Sequence, residues 1–205
     1  MDSIPDQSDK ILAQIRNEFF TCEWFAVYDL LEFIVAHYRR DKPEFAKILN
    51  RVLERELSAY RFVSGVLTNI TDPEELHALQ QALADTRFAG VSAHLQRALE
   101  LFATRENPDH RNSIKESISA VEAMARIVSE NPKATLADAL KAIERRGTLH
   151  SALKDGFLKI YGYTSDEGGI RHAMLEEPNL STADARYFLL SCTSFVNYLK
   201  SRLPH

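Results

Sequence analysis

The longest orderly helical pattern in the chain, RNSIKESISAVEAMARIVSE at 111–130, constrains its surroundings most. Ile114, Ile118, Val121, Ala125 and Val128 recur at three- and four-residue intervals, which makes one stripe of an α-helix. A single apolar stripe is stable only under the cover of other helices, and the flanking sequence supplies them. FAGVSAHLQRALELFAT (88–104) carries Val91, Leu95, Leu99 and Phe102 on one face, and ENPDH (106–110) connects the two. Pro132 stops the long helix. Thr135 with Asp138 three residues on predicts a capping box for ATLADALKAIERR, closed by Gly147. A helix over 149–161 comes next, and Ser181 with Asp184 caps a last one in which Phe188, Cys192, Phe195 and Leu199 face the core. That final helix is apolar on more than one face, so it is either buried centrally or shared with a partner.

Upstream, Ile11, Leu12, Ile15 and Phe19 keep helical spacing behind Ser8. WFAVYDLLEFIVAHYRR (24–40) is apolar on most faces, the pattern of a helix central to a bundle, and places Trp24 and Tyr28 in the core. Pro43 opens a third helix ending near Leu57. The period then changes: YRFVSGVLTNIT (60–71) has two short β-type runs around Ser64-Gly65, the signal of a two-residue hairpin near 61–70. Thr71-Asp72-Pro73-Glu74-Glu75 starts the next helix, with a cap, a first-turn proline and acids at the positive end of the helix dipole. The expectation is an all-α protein with one short hairpin, in two packed helical units at 1–86 and 87–205. Only seven Gly and seven Pro in 205 residues agree with it.

Net charge is −4 and pI about 6.0, so any nucleic-acid contact must be a local patch rather than a global field. Cys22 and Cys192 are isolated, which argues against a disulfide framework or a zinc site and points to a reducing cytoplasm. MDSIPDQSDK has no apolar signal core, and no run approaches the ~18 apolar residues of a membrane span. Phosphate loops, dinucleotide fingerprints, zincin motifs and hydrolase elbows are missing, and the seven histidines lack metal-ligand spacing. Neither metal nor cofactor is expected.

Chemistry-bearing residues crowd at 159–180, KIYGYTSDEGGIRHAMLEEPNL. Gly168-Gly169 breaks the helical pattern, and Arg171 and His172 come at once where the chain re-enters a helix. A guanidinium can stabilise charge developing on phosphate oxygens, and an imidazole can move the proton. These two are the candidate catalytic residues. Lys115, Glu116 and Asn112 on the long helix, with Asp166, form the candidate substrate-binding set: Lys115 for a phosphate, Glu116 to orient the arginine. The plainer alternatives are a capping arginine, a packed histidine and a solvated helix face.

RNSIKESISAVEAMARI together with ATLADALKAIERRGTLHSALKDGFLKIYGYTSDEGGIRHAMLEEPNLSTADARYFLLSCTSFVNYL resembles the helical HEPN domains of prokaryotic abortive-infection and toxin systems. FFTCEWFAVYDLLEFI and LERELSAYRFVSGVLTNIT resemble the small N-terminal domain named after the abortive-infection protein AbiJ. Many HEPN domains are metal-independent RNases that carry an Arg, a polar residue and a His four to six residues after the Arg, in a cleft between two protomers. Arg171 matches the Arg and His172 the polar position, but Glu176 or Glu177 stands where the second His belongs. The resemblance thus implies an RNA-binding or RNA-cleaving effector of antiviral defence or toxin–antitoxin type, a homodimer through the second unit, and an antitoxin or partner protein. It leaves open a non-catalytic dimerisation or interaction module.

Overall fold

The computed structural model describes residues 7–165 and 180–203. Among them the chain is helical apart from one hairpin. The first unit opens with α1 (Gln7–Thr21), α2 (Trp24–His37) and α3 (Lys42–Arg55), then β1 (Arg61–Val63), β2 (Val66–Thr68) and α4 (Pro73–Leu83). A 3-10 turn at Thr86–Phe88 leads into α5 (Ala89–Ala103), α6 (His110–Ser129), α7 (Leu136–Arg145), α8 (Ser151–Ser165) and α9 (Thr182–Lys200).

The starts of these helices are written in side-chain acceptors. Asp41, Asp72, Asp109 and Thr135 each take a backbone N–H two or three residues on, satisfying donors that have no partner within the helix. Ser181 and Asp184 complete a reciprocal capping box. At the far end of α7, Gly147 sits at φ +75, the left-handed position where glycine ends a helix at least cost.

The hairpin pairs Arg61 with Thr68, Phe62 with Leu67 and Val63 with Val66. Ser64 and Gly65 both have positive φ, as the mirror-image two-residue turn requires. Its outer edges are not left bare. Asn50 of α3 brackets β1, its amide donating to the Phe62 carbonyl at 3.0 Å and its carbonyl accepting from the Phe62 N–H at 2.7 Å. The Leu67 N–H of β2 donates to Glu32 of α2 at 2.7 Å. Side chains thus occupy groups that an open edge would offer to another strand.

Two apolar clusters result. The smaller holds Val35, Leu53, Phe62 and Leu67 between α2, α3 and the hairpin. The larger is centred on α6, packed against α5 and α9, and it also takes in Val63, Ile70, Leu79 and Ala82 of the first unit. α9 is buried centrally against α6, α4 and α5, which accounts for its apolar faces.

α2 departs from expectation. It lies at the edge, with Val35 its one buried residue among those described; Trp24 and Phe33 are each 59% exposed and Tyr28 is half-buried. Apolar composition on every face does not supply neighbours for every face. Tyr28 packs instead on Tyr60, ring centroids 4.5 Å apart, and its hydroxyl meets the Ser58 hydroxyl at 3.1 Å.

One arginine ties α2 to the second unit. Arg105, whose side chain is 8% exposed, donates through Nε to Asp29 at 3.1 Å and through Nη2 to both Asp29 and Glu32. Removing it strands Glu32, which also holds β2. Arg105→Ala should cost about 2–3 kcal/mol in urea denaturation, below the ~3–5 of a fully buried pair because Asp29 is largely exposed. In the larger core, Phe195 stacks on Phe157 with centroids 4.0 Å apart. Phe195→Ala should cost about 3–5 kcal/mol by the same measurement; a loss under about 1 kcal/mol would contradict its burial.

Candidate functional site

Three of the sequence-derived site residues, Asp166, Arg171 and His172, lie outside the described residues. Their flanks are on either side: α8 runs to Ser165, and the chain is described again from Leu180. That return point is fixed by α6. His110, the first residue of α6, makes a hydrogen bond through Nδ1 with the Leu180 carbonyl at 3.1 Å, and its Nε2 meets the Thr182 hydroxyl at 3.3 Å. The start of α9 is therefore held against the start of α6, the end of that helix carrying Asn112.

The three remaining candidates share α6 but not a common set of partners. Asn112 belongs to the helix cap, its N–H and side-chain amide donating to the two carboxylate oxygens of Asp109 at 3.0 and 2.6 Å. Burial works against the charged form of Asp109, yet these bonds and nearby arginines hold its pKa below the ordinary value. Lys115 is exposed, and its ammonium has no partner among the described residues. Glu116 is half-buried and bonds His94 of α5, Oε2 to Nδ1, at 2.6 Å. Further along the same polar face, Arg126 braces the α6–α7 connection. Its Nε donates to the Ala134 carbonyl at 3.0 Å and its Nη2 lies 3.5 Å from Glu122.

His94 was not among the candidates read from the sequence. A carboxylate on Nδ1 fixes the ring's orientation. Nε2 has no partner among the described residues, and the His94 side chain is 42% exposed. The sequence did carry a faint signal for the pair. His94 flanks the Val91–Leu95 stripe, Glu116 flanks the Ile114–Ile118 stripe, and when two such stripes pack their flanks meet.

No group of three or more His, Cys, Asp or Glu able to hold a metal occurs among the described residues. No described helix is long and apolar enough to cross a membrane. A cavity of ≈ 500 Å³ adjoins Arg105, Phe25 and Glu106, and one of ≈ 790 Å³ lies between Lys42 and Asn50 of α3 and Gln96 of α5. Neither is lined by His94, Asn112, Lys115 or Glu116. Cys192 is buried, and burial pushes its thiol up, so it is a packed side chain and not a nucleophile.

Residues 1–85 match the family model described as AbiJ N-terminal domain 4. The match supports an AbiJ-type N-terminal domain over the first unit. Such a domain points to an abortive-infection-associated protein. No curated protein and no solved structure matches the chain.

Asp184, at the fixed return point, gives a pH signature. The Ser181 hydroxyl and N–H hold its carboxyl below the ordinary aspartate value of 3.8, with His110 adding to the effect. A depressed folded-state pKa contributes stability that is full above the unfolded value and lost as pH falls through the folded one. Asp184→Ala should therefore be less stable than wild type at pH 6, and the gap should close as pH is taken below 3.8; a gap constant from pH 6 to pH 2 would contradict this.

Proposed function

We propose that this chain is a cytoplasmic effector of abortive-infection or toxin–antitoxin type, and that its HEPN-like second unit (87–205) binds RNA or cleaves it without a metal. The observation that carries the reading is the AbiJ match over the first unit. Next to it stands the chemistry of GIRHAMLEEPN in the second. RNA supplies its own nucleophile, the 2′-hydroxyl, so scission needs only a base for that proton, an acid for the leaving 5′-oxygen and a cation for the phosphate. Arg171 steadies the phosphate oxygens, His172 moves the proton, and Lys115 holds a neighbouring phosphate. Asn112 and Asp166 bound the site. Glu116 acts through His94, so that the Glu116–His94 pair offers a second acid–base group in place of the missing second histidine. The effector works as a homodimer and is restrained by an antitoxin or partner protein.

A second reading, a non-catalytic interaction module, is favoured by one observation: α1 exposes an apolar stripe, Ile11, Leu12, Ile15 and Phe19. Labelled RNA incubated with the pure protein in EDTA separates the two. The effector reading expects cleavage that falls at least about 100-fold in Arg171→Ala and His172→Ala, with a smaller loss in His94→Ala. If the protein binds without cutting, Lys115→Ala should weaken binding and lower the salt slope by about one. Wild type that neither cuts nor binds RNA at low salt would leave the interaction module.

A further inference from the structure

α1 spans 15 residues, and every described side chain from Asp9 to Thr21 is exposed. Ile11, Leu12, Ile15 and Phe19 nevertheless fall on one side of it, within an arc of roughly 100° at 3.6 residues per turn. A helix of this length is marginal in water unless its apolar face is packed. Only Cys22 and Glu23 separate it from α2, so its position is tied to the body while its stripe stays exposed, from 39% at Ile15 to 62% at Leu12.

We propose that α1 pairs antiparallel with α1 of a second copy of this chain, and that this contact, in place of the second unit, is the seam of the homodimer. The flanks of the stripe favour that occupant. Leu12, Ile15 and Phe19 keep the alternating three- and four-residue spacing of a two-helix seam. Asp9 and Arg16, seven residues apart, lie on the same flank; Ile11 and Glu18 lie on the other. In a two-fold antiparallel pair equal flanks meet. With Leu12 of one copy opposite Ile15 of the other, Asp9 comes opposite Arg16 of the second copy, and symmetry makes this contact twice. A parallel pair would set Arg16 against Ile11 and leave Asp9 without its cation. Arg16 already lies 5.5 Å over the Phe20 ring, which holds the guanidinium near the flank that needs it. The stripe exposes on the order of 400 Å² of apolar surface per copy, half the share of a standard interface, so the pair is a reversible dimer.

Sedimentation equilibrium at low salt, from about 1 to 100 µM, tests this on the whole chain. Wild type should pass from monomer to dimer across the range, and Ile15→Asp should stay monomeric. Asp9→Arg and Arg16→Asp should each weaken the dimer about tenfold by facing like charges, and the double reversal should recover most of the loss. Thermal unfolding of the body should be unchanged in all four variants, because none of these side chains enters a core. A monomeric wild type would overturn the proposal. So would a dimer that survives Ile15→Asp, which places the interface elsewhere, or a double reversal no better than the singles, which removes the antiparallel register. RNA cleavage plays no part in any of these readouts.

Discussion

α6 can sit at the centre of the larger core because its buried face alternates large aliphatic residues with serine and alanine. Ser113, Ser117, Ala120 and Ala125 are fully buried between Ile114, Ile118, Val121 and Met124. The Ser113 hydroxyl donates to the Ala98 carbonyl of α5 at 2.8 Å, a bond that forms only where the two backbones come close. Ser117 returns its hydroxyl to the Ser113 carbonyl at 2.9 Å, so the buried oxygens are satisfied without water. Small residues set the approach of the helices and large ones fill the gaps that remain.

The first unit joins that core through its hairpin and α4. Pairing sends Phe62 and Leu67 into the smaller cluster, whereas Val63 one step along enters the larger. Period-two alternation is what lets three residues of strand serve two cores. α9 then fastens α4 by polar contacts: Asn197 donates to the Ala78 carbonyl at 3.0 Å, and Lys200 donates at 2.9 Å to the Ala82 carbonyl in the last turn, where carbonyls lack helical partners.

Much of this architecture is legible in the residues themselves. Caps announce themselves because one side-chain oxygen satisfies a nearby N–H, and all the information lies within four residues, as at Ser181–Asp184 and Thr135–Asp138. The hairpin is readable from Ser64-Gly65 for the same local reason. α2 is not, because hydrophobicity reports a demand for partners and not their presence; Trp24 and Phe33 remain in solvent. The candidate site is legible in residue types and less so in contacts. Asn112, Lys115 and Glu116 do share one helix, but the Glu116–His94 bond joins residues 22 apart on different helices, and only the packing of α5 on α6 decides it. His110 likewise gives no sign in the sequence that it grips Leu180, 70 positions away.

The division of the larger core between the two units bears on how such proteins are assembled over evolutionary time. The family match ends at residue 85, yet Val63, Ile70, Leu79 and Ala82 are buried in a cluster built mostly from α5, α6, α7 and α9. The recognisable sequence block and the packed core are therefore not the same object. An N-terminal block of this kind cannot be shuffled onto an arbitrary effector as an independent bead on a string. Its new host must already offer a groove that accepts those four side chains, so recombination can succeed only among helical partners with a compatible surface.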